Sequence, residues 1–175
     1  MIKGGKGGAR TLTGLDFEQR RDLRTAFTNF PEYTVVKGNL FFNNKIVAKL
    51  YKKHDLYKMF LGPKGIDYRK IISKKLLPDD AIFIFANNTL FIVEMKFQEV
   101  AGSVDEKLQT CDFKRKQYEK LLSETKVLVE YVYVLSDWFK DPSYRDVLDY
   151  IKSVKCHYFF ETLPFDFLGL PKPNA

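Results

Sequence analysis

The stretch PDDAIFIFANNTLFIVEMKFQ, residues 78–98, decides how the rest of the chain is read. Strand-like runs at 81–86 and 90–97 flank Asn87-Asn88. Such a pair marks a hairpin, because asparagine tolerates φ > 0. Successive side chains on a strand point to opposite faces. Phe91, Val93, Met95 and Phe97 therefore share one face, and Glu94, Lys96 and Gln98 the other. A surface strand would alternate along its whole length. This one turns polar only at its C-terminal end and on one face, as a central strand does where a site opens.

The facing strand supplies the partner. With Asn87-Asn88 as a two-residue loop, Ala86 pairs with Thr89, Ala81 with Glu94 and Asp79 with Lys96. Asp79 then joins Glu94 and Lys96, while Asp80 lies behind with Met95. A three-residue loop would bring in Asp80 instead; the turn chemistry favours Asp79. Two carboxylates flanking a lysine have a defined use. Their oxygens bind Mg²⁺ and leave coordination places for water and a phosphate oxygen. The lysine can position or deprotonate that water, or stabilise charge in the transition state. An ordinary surface ion cluster uses the same three residue types.

Outward from this hairpin, Thr13 reads as the N-cap of a helix ended by Pro31, with Leu15, Leu23, Ala26 and Phe27 as its apolar stripe. Glu18 falls at the border of that stripe. Strands follow at 33–36 and 40–51, the second broken by the turn pair Asn43-Asn44, then a short helix near 56–61 and a loop at 62–65. Beyond the hairpin, Ser103 and Glu106 form a capping box opening a helix to about residue 123. A strand at 127–135, a helix from Pro142 to Val154 and a strand at 156–160 complete the order. This implies one α/β domain over residues 1–175, a mixed sheet with helices on both faces, and a basic, Gly-rich arm at 1–10.

Composition agrees with a globular domain: 175 residues, 45% hydrophobic and 15% aromatic. No apolar run reaches the roughly 18 residues a membrane span needs, and residues 1–10 lack a signal peptide's apolar stretch. Cys111, Cys156, His54 and His157 show no zinc spacing. A reducing cytoplasm with free thiols is the expected setting. The formal charge of +7 and pI of about 9.2 favour a polyanionic partner, most simply nucleic acid.

Pro78-Asp79, fourteen residues, then Glu94-Met95-Lys96 resembles the signature of the PD-(D/E)xK nuclease superfamily. The continuation Lys96-Phe97-Gln98 with residues 102–107, and the opening 4–11 leading into 13–18, are similar to a pattern found in small type II restriction endonucleases. The resemblance implies a restriction-endonuclease-like αβββαβ core and a Mg²⁺-dependent enzyme, with Mn²⁺ as substitute, cutting double-stranded DNA to 5′-phosphate and 3′-hydroxyl ends. It places Asp79 and Glu94 on the metal and Lys96 on the water. Glu18 completes the metal shell or orients a metal-bound water, and Gln98 positions water. Glu106 stays with the helix cap.

Lys3, Lys6 and Arg10 on the arm, and Lys64, Arg69 and Lys70 before the hairpin, are candidate DNA contacts. The bland readings are a disordered terminus and lysines that solubilise a β edge. A homodimer matches a palindromic site by symmetry, and the aromatic tail around Phe159, Phe160, Phe165 and Phe167 suggests surplus apolar surface. A repair, recombination or mobile-element nuclease on the same scaffold, or a DNA-binding domain with a structural ion cluster, are the alternatives.

Overall fold

The computed structural model describes residues 14–17, 22–98 and 104–174. Strand β1 (Gly14–Asp16) precedes helix α1 (Leu23–Phe27), which is capped by the Asp22 carboxylate accepting from the Thr25 amide. Residues 14–16 are thus a strand, where the helical stripe predicted a helix. Leu15 and Phe17 are fully buried and Asp16 is exposed, a period of two. Thr13, the expected cap, lies outside the described residues.

Strands β2 (Tyr33–Val36), β3 (Asn39–Phe42) and β4 (Lys45–Tyr51) follow as two hairpins. Their loops, Lys37-Gly38 and Asn43-Asn44, are two residues long with φ positive throughout, the turn geometry that matches strand twist. A π-type turn (Leu56–Leu61) and two short 3₁₀ turns (Gly62–Lys64 and Tyr68–Lys70) lead to β5 (Asp80–Ile84) and β6 (Thr89–Lys96).

The helix expected to run unbroken to residue 123 is two: α2 (Val104–Leu108) and α3 (Cys111–Leu121). Side-chain hydrogen bonds mark the break. The Thr110 hydroxyl donates to the Lys107 carbonyl at 2.7 Å and the Tyr133 hydroxyl to the same carbonyl at 3.2 Å, so side chains take an acceptor that a continuing helix would use. Strand β7 (Leu128–Leu135), α4 (Arg145–Ser153) and β8 (His157–Phe160) come next. The chain then adds β9 (Thr162–Pro164) and α5 (Phe165–Leu168), which the sequence reading lacked.

The seven strands β2 to β8 lie in sequence order in one mixed sheet, antiparallel through β6 and parallel for β6–β7–β8. Strands β1 and β9 form a separate antiparallel pair. A mixed α/β architecture results.

Each face of the large sheet carries its own core. Leu90, Ile92, Tyr131 and Tyr133 pack with Tyr118 and Leu121 of α3 and Ile151 of α4 on one side. Phe91, Val93, Val132 and Val134 pack with Phe27 of α1 and Phe165 of α5 on the other. Phe165 is fully buried, stacked on Tyr33 with centroids 5.4 Å apart, and Phe167 packs edge-on against Phe159. Phe165 and Leu168 of the aromatic tail are thus core residues, while Phe159, Phe160 and Phe167 are half-buried. Both cysteines are free and buried. Among the described residues no helix is long and apolar enough to cross a membrane.

Candidate active site

The β5–β6 hairpin decides which carboxylates meet. Ile84 pairs with Thr89 and Asp80 with Val93, so the loop is four residues, 85–88, where a two-residue loop was expected. Only Asn88 of the pair has positive φ. Asn87 instead accepts from the Thr89 amide through its side-chain oxygen and donates to Leu168 O. The register therefore slips by two residues. Continued one step past β5, it sets Asp79 beside Glu94, not Lys96. Because the slip is even, Asp79 keeps its face and still joins Glu94 and Lys96.

The three side chains close on one another at the C-terminal end of β6. Lys96 Nζ donates to Glu94 Oε2 at 2.9 Å, to Asp79 Oδ2 at 3.3 Å and to the Met95 carbonyl at 3.2 Å. The Met95 amide donates to Asp79 Oδ2 at 3.2 Å. Glu94 is buried, its side chain 7% exposed, whereas Asp79 at 46% opens to solvent. Burial works against the Lys96 charge, but the Glu94 and Asp79 carboxylates outweigh it and raise the pKa. Kept as an ammonium, Lys96 is suited to stabilise negative charge rather than to accept a proton.

Helix α3 adds a group that the sequence reading missed. Lys114 Nζ lies 3.4 Å from Glu94 Oε2, so the buried carboxylate sits between two cations. One turn on, Tyr118 donates to the Leu76 carbonyl at 3.2 Å, three residues before Asp79. Burial first, with Glu94 and Asp79 adding, raises the Tyr118 pKa far above its ordinary value and keeps it a neutral donor. The signal was in the sequence. Cys111, Lys114 and Tyr118 share one face of a helix at spacings of three and four.

Gln98 is buried two residues past the end of β6. Its backbone amide donates to Ser136 Oγ at 3.2 Å, and neither polar atom of its side chain has a partner among the described residues. A buried amide without partners is costly in a packed interior and is suited to hold a water or an incoming polar group.

Whether this constellation suits a divalent cation follows from its donors. Asp79 Oδ2, Glu94 Oε2 and the Met95 carbonyl converge on the one point held by the Lys96 ammonium. Two carboxylates and a carbonyl are oxygen donors of the kind a hard cation takes, but the point they share is occupied by the Lys96 ammonium. Among the described residues no group of three or more His, Cys, Asp or Glu gathers at one point. Glu18, expected as a further ligand, lies outside the described residues.

Asp80 belongs to the opposite face. It is 3% exposed and accepts from the Leu23 amide at 3.2 Å, anchoring the start of α1. Burial first, with Asp22 and Asp79 adding, pushes its pKa up to about 7. Neighbouring Asp22 is held down to about 2; partial burial opposes its charge, but the Thr25 amide and Lys52, 2.9 Å away, overcome it.

The basic candidates separate. Lys3, Lys6 and Arg10 lie outside the described residues. Arg69 is forked onto Asp67, with Nε and Nη2 at 2.9 and 3.1 Å from its two oxygens. Lys64 sits over the Phe60 ring at 4.9 Å, and Lys70 is exposed. Glu106 is exposed, and Ser103, its expected capping partner, lies outside the described residues. Comparison with family models, curated proteins and solved structures finds no match to this chain.

Proposed function

We propose that this chain is a Mg²⁺-dependent endonuclease of the PD-(D/E)xK type that hydrolyses phosphodiesters of double-stranded DNA. The carrying observation is the convergence of Asp79, Glu94 and the Met95 carbonyl on Lys96 at the mouth of the β5–β6 hairpin. The order α1, β4, β5, β6, α3, β7, antiparallel up to β6 and parallel after it, supports a restriction-endonuclease-like core.

Asp79 and Glu94 hold the metal in this reading. The bound ion, Mg²⁺ or Mn²⁺, supplies charge neutralisation at the phosphate and a more acidic water. Lys96 stabilises charge developing on the phosphoryl oxygens, and the buried Gln98 amide orients the attacking water. Hydrolysis leaves a 5′-phosphate and a 3′-hydroxyl. Discrete, sequence-specific cutting by a homodimer follows from the restriction-enzyme resemblance and from the two strands of a duplex.

Incubating the protein with supercoiled plasmid tests the proposal. Discrete fragments are expected with Mg²⁺ or Mn²⁺, none with chelator, and binding without turnover in Ca²⁺, whose longer, looser coordination activates water poorly. A smear or a preference for branched DNA favours the repair or mobile-element alternative. An absence of cleavage under all metals overturns the nuclease reading and leaves a structural ion cluster.

Lys114→Ala is expected to slow single-turnover cleavage by roughly 10²-fold, the scale of losing one charge-stabilising donor. Duplex affinity in Ca²⁺ should change little. An unaltered rate would remove Lys114 from the site.

A further inference from the structure

The charge of this protein is not spread evenly. Residues 49–75 hold nine Lys and Arg against two Asp, a surplus of +7 that equals the net charge of the whole chain. The fold sets this segment beside the candidate site. Tyr51 pairs with Ala81, the Lys53 amide donates to Pro78 O at 3.3 Å, and Tyr57 exchanges hydrogen bonds with both Leu76 backbone groups at 2.7 and 3.0 Å.

Within the segment the cations differ in kind. Lys52 is paired with Asp22 and Arg69 with Asp67. Lys64 and Lys75 are held another way. Lys64 Nζ lies over Phe60 at 4.9 Å and Phe83 at 5.9 Å, and Lys75 Nζ over Tyr57 at 4.7 Å and Tyr68 at 4.8 Å. An aromatic face fixes an ammonium through its quadrupole without cancelling the charge, and the N–H groups turned away from the ring remain available. Neither lysine has a carboxylate within ion-pair distance among the described residues. Phe83 lies on the site's face of β5, four residues from Asp79, or roughly 13 Å at about 3.3 Å per residue. Lys75 precedes Asp79 by four residues.

We propose that Lys64 and Lys75, each seated on a pair of aromatic rings, are the phosphate anchors for duplex DNA bound at the Asp79–Glu94–Lys96 site, an assignment that rests on the nuclease reading. Fixed, uncompensated charges at two points near the candidate site are suited to grip a regularly charged backbone. Lys52 and Arg69, already neutralised, add little.

The test is the salt dependence of binding to a short fluorescent duplex in Ca²⁺, where strands stay intact. Lys64→Gln and Lys75→Gln are each expected to flatten the slope of log K against log salt by roughly 0.9, the release expected for one lost phosphate contact. Arg69→Gln should leave the slope unchanged, and Lys75→Arg should restore it. Melting temperatures near wild type confirm that these surface variants fold.

Unaltered slopes in both glutamine variants would overturn the anchors, even with plasmid cleavage intact. Equal loss from Arg69→Gln, or polyglutamate binding as tight as duplex, would also overturn them. Lysine-dependent duplex binding without Mg²⁺ cleavage supports the anchors while removing the nuclease reading.

Discussion

Asp79→Ala and Glu94→Gln are each expected to lower Mg²⁺-dependent plasmid cleavage by several orders of magnitude. The loss combines a metal ligand with its negative charge, and neither remaining carboxylate can replace both. The two substitutions report on different things. Asp79 is half-exposed, so its removal tests the ligand with little risk to the fold. Glu94 is buried against Lys96 and Lys114, and glutamine keeps its shape and an oxygen for both ammoniums while discarding the charge. Lys96→Ala should be as inactive, yet bind duplex in Ca²⁺ at least as well, since the carboxylates remain. Asp80→Asn should stay active because it lies across the sheet, beneath α1. Single-turnover rates, with circular dichroism as the folding control, decide the matter. An active Asp79→Ala beside a dead Asp80→Asn would transfer the ligand role to the other face.

Asp80 should also make the fold less stable as the pH rises from about 4 to about 7. Its carboxyl is protonated in the native protein up to about 7, whereas in the unfolded chain it ionises near its ordinary 3.8. Across that window the native state holds the extra proton, so raising the pH favours unfolding. Three pH units correspond to a loss on the order of 4 kcal/mol. Asp80→Asn, which cannot ionise but can still accept from the Leu23 amide, should remove that slope. Asp22 acts in the opposite direction at lower pH. Its depressed pKa contributes stability above about 4 that is lost as the pH falls towards 2. Urea midpoints at pH 4.5 and 7.5 in chelator, for wild type and Asp80→Asn, provide the check; parallel pH dependence in the two proteins would refute the assignment.

The site was more legible than the hairpin that builds it. Face assignment depends only on whether a loop has an even or odd number of residues. A loop of four therefore gives the same answer for Asp79 as the expected loop of two, although every pairing moved. Turn chemistry did read correctly at Asn43-Asn44, where both residues take the positive φ of the two-residue loop. At Asn87-Asn88 the amides are engaged by Thr89, Lys126 and Leu168, the last two partners distant in sequence.

The start of the fold failed for a similar reason. Leu15, Leu23, Ala26 and Phe27 fit a helical stripe, but residues 14–16 are made a strand by Thr162–Pro164, a partner with no local trace. Gly14 records that closeness. A Cβ there would meet the Thr162 methyl carbon at 2.6 Å and the Leu163 carbonyl oxygen at 2.8 Å. Lys114 was readable from helix spacing once the strand before it was recognised. The aromatic seats of Lys64 and Lys75 were not, because they join residues from β5, the π-type turn and the segment after it.

The β1–β9 pair also orders how this protein can be built. The residues it joins lie nearly the whole chain apart, so bringing them together carries a large loop-closure cost that only late contacts repay. During synthesis, the core on the Glu94 side is drawn from residues 51–160, whereas the opposite core also needs Leu163, Phe165, Leu168 and Leu170. The chain can thus assemble its Glu94 side before its other side. Pairing β9 with β1 then completes the second core after the first.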